Sequence, residues 1–210
     1  MKLLIVTQYY PPEIGASQTR LFELSTRLVK MGVEVTVLTG MPNYPTGRIF
    51  DGYRWKIRMT EQMDGVKVIR VCLYPSKSKK GLPRLFSYGS FALSSLVFGV
   101  WGLGKYDIIL IDSPPLFIVP SGLVISKITG AKPVLMVADI WPYGLVHAGY
   151  VSEKSLLVKP MLWLEKFSYN HSYAVALTSP RACAHIRARF PHLKNVTLIS
   201  NGVDTKMFSP

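Results

Sequence analysis

The first forty residues of the chain form one pattern: a strand, a loop, a one-faced helix and a second strand. Residues 2–7 (KLLIVT) are a short apolar run, which the proline-containing loop of residues 8–15 cannot continue. From residue 16 to 31 apolar side chains recur every three or four positions, which predicts a helix that ends before Gly32. Residues 33–39 (VEVTVLT) then predict a second strand, parallel to the first and joined to it by a right-handed crossover.

More strand and helix patterns alternate along the rest of the chain. Apolar runs at 107–112 and 134–139 end in an aspartate and are typical of strands covered on both faces. Further strands are predicted at 66–71, 173–178 and 196–199, and helices near 84–103, 115–129, 153–171 and 180–189. The sequence therefore predicts an α/β domain with a doubly wound, Rossmann-like, mostly parallel sheet of about seven strands. Ligands of such sheets bind beyond the carboxyl ends of the strands, so chemistry is expected in the loop from Gln8 to Ser17.

The composition indicates a folded chain with an excess of positive charge. Of its 210 residues 49% are hydrophobic and 18% are charged, which excludes a disordered chain, and the formal net charge is +13. A basic block between Arg54 and Arg84 suggests an anionic substrate or surface, although a solvated basic face would give the same pattern. Cys72 and Cys183 are too few for a disulfide framework, which favours a reducing compartment. The apolar run before Pro11 is too short for a signal peptide.

The uncharged stretch of residues 85–104 has roughly the length that spans a bilayer. A spanning helix is rejected, because the strands on either side of it belong to one sheet. Small residues at near-helical spacing predict a closely packed face: Ser87, Ser90, Ser94, Gly99 and Gly102. The bulky residues would then be partly exposed: Phe86, Leu93, Val97, Val100 and Trp101. Such a helix beside basic residues could enter one membrane leaflet, although burial in the domain or against a partner would explain the same pattern.

Three residues could carry chemistry at the predicted strand ends. Gly15 precedes the first helix, where a residue without Cβ lets a phosphate reach free N–H groups, or only permits the turn. Asp112 and Asp139 each end a strand, where an acid can orient a sugar hydroxyl, accept its proton or cap the next helix. Trp141 beside Asp139 favours a sugar site there. No G-x-G-x-x-G or P-loop motif is present, which argues against a dinucleotide oxidoreductase and an ATPase.

Five short motifs occur in a characteristic order along the chain. They are residues 9–16 (YYPPEIGA), 41–45 (MPNYP), 113–115 (SPP), 139–142 (DIWP) and 201–204 (NGVD), the last followed by Phe208 and Pro210. In this combination they resemble glycosyltransferase family 4, a family of retaining enzymes with the GT-B architecture. The resemblance covers the whole chain. Within the family it is strongest to the fucosamine-transferase-like enzymes of bacterial surface-polysaccharide assembly, such as capsule and lipopolysaccharide.

The resemblance implies two Rossmann-like domains with the active site between them, of which this chain matches the first. Residues 1–200 correspond to the N-terminal, acceptor-side domain, and residues 201–210 to the start of the interdomain hinge. The C-terminal domain, which binds the nucleotide-sugar, would follow in cis or belong to a partner chain. The chain by itself is therefore expected to be inactive as a transferase.

The resemblance also implies a role for each matched position. Gly15, with the backbone of Ala16 and Ser17, would approach the donor diphosphate. Asp139 would be the catalytic residue and would lie with Trp141 at the reacting sugar. The acceptor side would be lined by Arg20, Asn43, Tyr44 and Ser113. No metal or other cofactor is expected, because backbone dipoles and basic side chains would meet the phosphate charge.

The implied substrates are a nucleotide-sugar and a polyprenyl-diphosphate-linked sugar at the cytoplasmic leaflet. The protein would then be a hexosyltransferase-type enzyme of the cytoplasm, peripheral on the inner face of the plasma membrane. Two other interpretations stay open. Half of a GT-B sugar-nucleotide epimerase would need no lipid acceptor, and a non-catalytic membrane- or partner-binding module would need only the basic block and the apolar helix. Nucleic-acid binding is not expected, because no recognised nucleic-acid motif accompanies the charge.

Overall fold

The computed structural model describes residues 1–78, 82–141 and 158–202. Its strands are β1 (Lys2–Val6), β2 (Glu34–Gly40), β3 (Arg58–Met63), β4 (Val66–Val71), β5 (Ile108–Ser113), β6 (Lys132–Val137), β7 (Ala174–Leu177) and β8 (Val196–Leu198). These residues form one eight-stranded sheet in the order β3-β4-β2-β1-β5-β6-β7-β8. All described pairs are parallel except β3 with β4. The predicted doubly wound, mostly parallel sheet is confirmed.

Alternate residues of the central strands face the two sides of the sheet. Leu4 and Val6 of β1 belong to one hydrophobic core, whereas Leu3 and Ile5 belong to the other. Because both sides are covered, β1 reads in the sequence as a continuous apolar run.

Five α-helices of the described residues cover these two cores. They are α1 (Ala16–Lys30), α2 (Leu82–Ser94), α3 (Val119–Thr129), α4 (Val158–His171) and α5 (Pro180–Arg189). Leu21 of α1 is fully buried in the core that contains Leu3, and side chains of the other four helices lie in the opposite core. A 3-10 turn, Leu116–Ile118, precedes α3 within the predicted helix of residues 115–129. Residues 153–157 of the predicted fourth helix lie outside the described residues.

An edge strand, β3, was not expected from the sequence and corrects the predicted count of about seven. It pairs with β4 from Arg58 opposite Val71 to Met63 opposite Val66. Its sequence, RMTEQM, contains no apolar run, because an edge strand needs to bury only part of its surface. Asp64 and Gly65, both with positive φ, form the turn between the two strands.

The helix predicted at residues 84–103 is shorter and less regular in the structure. α2 ends at Ser94, and a π-helical turn, Ser95–Gly99, follows it. Gly99 is required by close packing, since a Cβ there would lie 2.9 Å from the side chain of Leu38. Gly102 lies beyond the helix with nothing near it, so it is not part of the packed face as predicted.

The bulky side chains of this segment form an apolar stripe on the protein surface. Its members are Leu82 (67% exposed), Phe86 (66%), Leu93 (63%), Val97 (44%) and Trp101 (62%). The predicted burial of Ser87 and Ser94 beneath the stripe is confirmed, whereas Val100 packs against the core instead of facing outward. Among the described residues no helix is both long and apolar enough to cross a bilayer.

The chain leaves two neighbouring central strands in opposite directions. From β1 it continues to β2 on one side, and from β5 it continues to β6 on the other. In open α/β sheets such a reversal leaves a crevice beyond the carboxyl ends of the two strands, where ligands bind.

Candidate functional site

The residues expected at the site all follow the carboxyl ends of four adjacent parallel strands. The loop and helix after β1 carry Gly15, Ala16, Ser17 and Arg20; β2 leads to Asn43 and Tyr44; β5 ends at Ser113; and β6 leads to Asp139 and Trp141. Because these strands are parallel, their carboxyl ends share one edge of the sheet. The structure therefore brings the nine positions to the edge that contains the crevice.

The N-terminus of α1 offers backbone N–H groups at this edge. Gly15 is its N-cap, and no side chain caps the helix there. The carboxamide of Gln18 lies over Gly15, with Oε1 2.6 Å from the position that a Cβ would take, so a larger residue would have to displace it. The N–H groups of Ala16 and Ser17 belong to the uncapped first turn, which attracts anions through the helix dipole.

Asp112 is a buried carboxylate that accepts hydrogen bonds from three side chains, one in the loop after β1 and two on α1. Arg20 Nη2 donates to its Oδ1 at 2.6 Å, and the hydroxyls of Thr7 and Ser17 donate to its Oδ2, each at 3.3 Å. Burial raises the pKa of Asp112 to about 6, while the guanidinium of Arg20 and the two hydroxyls lower it in part. This ion pair fixes the Arg20 side chain at the end of β5.

Glu13 joins the loop after β1 to the loop after β2. Its carboxylate accepts the backbone N–H groups of Asn43 at 2.7 Å, Tyr44 at 2.8 Å and Tyr10 at 3.3 Å. The side chain is buried, and burial raises its pKa to about 7, against the lowering effect of the three N–H groups. No role for Glu13 is predicted from the sequence. The available signal was that Glu13 is the only acid in the loop from Gln8 to Ser17, where chemistry is expected.

A change at Glu13 is expected to alter how stability depends on pH. Because the pKa is about 7 in the folded chain and near 4.5 when unfolded, the folded state holds the extra proton between these values. The free energy of unfolding should therefore fall as pH rises from 4.5 to 7, by about 3 kcal/mol from this group. Glu13→Gln should remove that part of the slope in denaturant titrations between pH 5 and 8. Glu34→Gln, at an exposed surface position, is the matched control, and equal slopes for Glu13→Gln and wild type would contradict the assignment.

Asn43 and Tyr44 take different positions on the second loop. The Asn43 side chain is 3% exposed and donates to the carbonyl of Met41 at 3.1 Å, so its amide serves the loop itself. Tyr44 is 47% exposed, and its ring meets the edge of Tyr9 with centroids 6.0 Å apart. Of the two, Tyr44 presents a surface that a ligand can contact.

Asp139 and Trp141 follow β6 but differ in accessibility. Asp139 is exposed at the sheet edge. Trp141 is 9% exposed and packs edge-on against Phe117, with ring centroids 6.3 Å apart. Phe117 in turn stacks on Tyr88 of α2 at 6.3 Å. The indole is thus largely part of the core, and Asp139 is the group of this pair that is open to a substrate.

Arg70 lies beneath the site and is fully buried. Its Nε meets Glu61 Oε1 at 2.5 Å, its other nitrogens donate to the carbonyls of Gly40 and Pro11, and its guanidinium lies 5.2 Å from the ring of Tyr53. By sequence, Arg70 belongs to the basic block between Arg54 and Arg84, which is expected to face an anionic substrate or surface. That assignment is wrong, because this cation supports the loop after β1 from below.

The site is also connected to α2. Gln8, the second residue after β1, is buried and donates from Nε2 to the hydroxyl of Ser87 at 3.2 Å. Ser87 lies on the buried side of α2, next to the stripe residue Phe86. No group of three His, Cys, Asp or Glu side chains in the part of the chain that the structure describes is placed to hold a metal ion.

Comparison with known proteins gives a family and a fold. Residues 15–202 match the glycosyl transferase 4-like domain. A glycosyl transferase named for colanic acid biosynthesis, WcaI of Escherichia coli (strain K12), is 32% identical over 142 residues. That segment is 66% of this chain but 34% of WcaI, so the chain corresponds to only part of this relative.

Three solved structures of about twice the length contain the same fold. Sucrose-phosphate synthase of Thermosynechococcus elongatus superposes with a TM-score of 0.65 at 17% identity, over 100% of this chain and 50% of its own. Starch synthase IV of Arabidopsis thaliana, bound to ADP and acarbose, superposes with a TM-score of 0.63 at 14% identity, over 98% of this chain and 52% of its own. HepE of Anabaena in complex with UDP-glucose superposes with a TM-score of 0.55 at 13% identity, over 100% of this chain and 47% of HepE. The fold is that of the N-terminal domains of GT-B glycosyltransferases.

Proposed function

The chain belongs to the glycosyl transferase 4-like family, and on that premise we propose that it is the acceptor-binding N-terminal domain of a retaining glycosyltransferase. The observation that carries the proposal is the single sheet edge at which Gly15, Ser17, Arg20, Tyr44 and Asp139 meet. The name of WcaI supports a place in bacterial surface-polysaccharide synthesis. We also propose that the chain belongs to the fucosamine-transferase-like subgroup of this family.

The proposed donor is a nucleotide-sugar held mainly by a second, C-terminal domain. Related folds were solved with ADP and with UDP-glucose, which supports a nucleoside diphosphate across the cleft. Its diphosphate would face the uncapped N-terminus of α1, where the N–H groups of Ala16 and Ser17 can offset its charge. In this arrangement neither a metal nor another cofactor is required.

The proposed acceptor hydroxyl lies beside Asp139. An exposed carboxylate at the sheet edge can accept a hydrogen bond from this hydroxyl and orient it toward the anomeric carbon. In the retaining reaction we propose, the departing phosphate of the donor takes up the acceptor proton. Asp112 is a poorer candidate for this contact, because both of its oxygens already accept hydrogen bonds from Thr7, Ser17 and Arg20.

The proposed acceptor is lipid-linked, and the apolar stripe is the surface that would meet the membrane. Its five members are each more than two-fifths exposed. Three of them lie on α2, whose other face packs into the core, and Val97 and Trp101 follow in and after the π-helical turn. Arg84 lies on the same helix, and Lys77 lies in the segment that precedes it. Cations beside exposed apolar side chains favour an anionic leaflet.

Membrane docking is tested by flotation of the chain with vesicles of phosphatidylcholine and phosphatidylglycerol across a salt series. Wild type should float with anionic vesicles, and less so at high salt, because of its net charge of +13. Phe86→Ser with Trp101→Ser should weaken binding at least about tenfold, since two side chains leave the apolar phase.

The control for this experiment replaces two equally exposed apolar residues elsewhere. Ile128 is 60% exposed and Trp163 is 65% exposed, and their change to serine should leave flotation unaltered. Equal flotation of wild type and the Phe86/Trp101 variant, with both folded by circular dichroism, would reject the stripe as a membrane surface. No flotation of wild type would favour a soluble acceptor, as in a sugar-nucleotide epimerase.

A further inference from the structure

A cavity with charged residues in its wall lies between the β2–β3 loop and the segment before α2. Its volume is about 680 Å³ and it is open to solvent. It is lined by Thr46, Arg48, Ile49, Phe50, Asp51, Arg54 and Lys77. Three cations and one acid therefore face the same space. Asp51 is 90% exposed and pairs with Arg54 at 3.1 Å, so the cavity keeps a positive balance.

The loop that forms this cavity is held in shape by its own backbone. The N–H of Gly47 donates to the carbonyl of Asn43 at 2.7 Å, and that of Phe50 donates to the carbonyl of Pro42 at 2.9 Å. The Nε of Arg54 donates to the carbonyl of Ile49 at 3.2 Å, which directs its guanidinium back across the loop. The cationic groups are thus partly organised before any anion binds, which lowers the entropic cost of binding.

Gly47 brings the third cation to the cavity. Its φ is +67°, and a Cβ at this position would lie 2.2 Å from the backbone nitrogen of Lys77. Only glycine permits both this conformation and this approach of two backbones. The contact places Lys77 beside Arg48 and Arg54, although it lies 29 residues after Arg48 and 23 after Arg54 in the sequence.

The surroundings of the cavity indicate which anion it serves. On one side the loop continues back to Tyr44, at the proposed acceptor site. On the other side Arg54 is followed by Trp55, which is 100% exposed, and by Ile57, which is 58% exposed. Arg58 then donates to the carbonyl of Trp101 at 2.7 Å, so this apolar surface continues into the apolar stripe. The cations therefore lie between a sugar-side loop and a lipid-side surface.

We propose that Arg48, Arg54 and Lys77 bind the diphosphate that joins the acceptor sugar to its lipid. The assignment rests on the proposed function, since it requires a lipid-linked acceptor. A diphosphate carries more than one negative charge and many acceptor oxygens, and guanidinium groups bind such oxygens in pairs. Because Asp51 already pairs with Arg54, a single carboxylate would still leave one of the three cations without a counter-ion.

The test is a titration of the chain with inorganic pyrophosphate at low salt, in which isothermal titration calorimetry measures the binding. Arg48→Gln with Arg54→Gln and Lys77→Gln should weaken pyrophosphate binding at least about tenfold. The control variant removes the same charge from exposed positions elsewhere, by changing Lys105, Lys127 and Arg181 to glutamine, and should bind within twofold of wild type. Equal loss in both triple variants would assign the binding to net charge alone and overturn the site.

Two further experiments distinguish a lipid-linked diphosphate from a free one, and failure of the anion site from failure of the proposed function. Flotation with phosphatidylcholine vesicles that contain polyprenyl diphosphate should be reduced in the Arg48/Arg54/Lys77 variant, whereas pyrophosphate binding should be intact in the Phe86/Trp101 variant. If the stripe variant floats normally while pyrophosphate still needs the three cations, the membrane proposal fails and the anion site stands. Glucuronate that competes as strongly as pyrophosphate would assign the cavity to an acidic sugar and reject the diphosphate.

Discussion

Arg70→Met is expected to lower the free energy of unfolding by about 3 kcal/mol, a loss typical of breaking a buried ion pair by removing one partner. The guanidinium is fully buried, and its removal leaves Glu61 without its cation and the carbonyls of Gly40 and Pro11 without their donor. Glu61 is 23% exposed and can be partly rehydrated, so the lower end of the expected range applies. Denaturant titration of the chain measures the effect.

The control for this prediction is Lys67→Met on the same strand, where the side chain is only half-buried. It should change stability by less than about 0.5 kcal/mol, as surface substitutions usually do. Changing Glu61 to leucine in the Arg70→Met background should recover part of the loss, because the unpaired carboxylate is then absent as well. A loss below about 1 kcal/mol for Arg70→Met alone would mean that water replaces the guanidinium at little cost.

Asp139→Asn is expected to reduce turnover about a hundredfold or more while leaving stability almost unchanged. A carboxylate that orients a reacting hydroxyl typically contributes two to four orders of magnitude to the rate. Because the side chain is exposed, the isosteric amide should cost less than about 0.5 kcal/mol in unfolding. The measurement is the steady-state rate of sugar transfer in a protein that contains both this domain and the donor-binding domain.

The comparison for Asp139 is an equally exposed acid far from the crevice. Asp64 lies in the β3–β4 turn, which is at the opposite edge of the sheet because β4 begins there. Asp64→Asn should leave turnover unchanged, and asparagine tolerates the positive φ of this position. Retention of full turnover by Asp139→Asn would remove the residue from the catalytic role and redirect attention to the donor-binding domain.

The fold followed from the sequence wherever burial imposed a simple periodicity. Residues 66–71 were predicted as a strand with the bounds that the structure has, because one buried core on each side of the sheet dictates the apolar positions. The β3 strand was missed for the converse reason. It is an edge strand whose pairing depends on backbone hydrogen bonds to β4, and backbone groups leave no trace in the sequence.

The candidate site was only partly predictable, since its key interactions join distant residues. Motifs identified the loops that meet at the sheet edge, but a charge count could not tell the buried Arg70 from a solvated lysine. Glu13 acts on backbone N–H groups about thirty residues away, which no local pattern records. Trp141 was expected at a sugar and is instead mostly core, because aromatic residues next to strands satisfy both roles equally well in sequence.

The π-helical turn at Ser95–Gly99 has a consequence for the direction of the apolar stripe. Each residue of an α-helix advances by about 100°, so Trp101, fifteen positions after Phe86, would be about 60° out of phase with it on a regular helix. A wider turn advances less per residue and reduces this drift. The π-helical turn thereby helps to keep Val97, and Trp101 in the turn that follows, on the exposed side of the segment with Phe86 and Leu93.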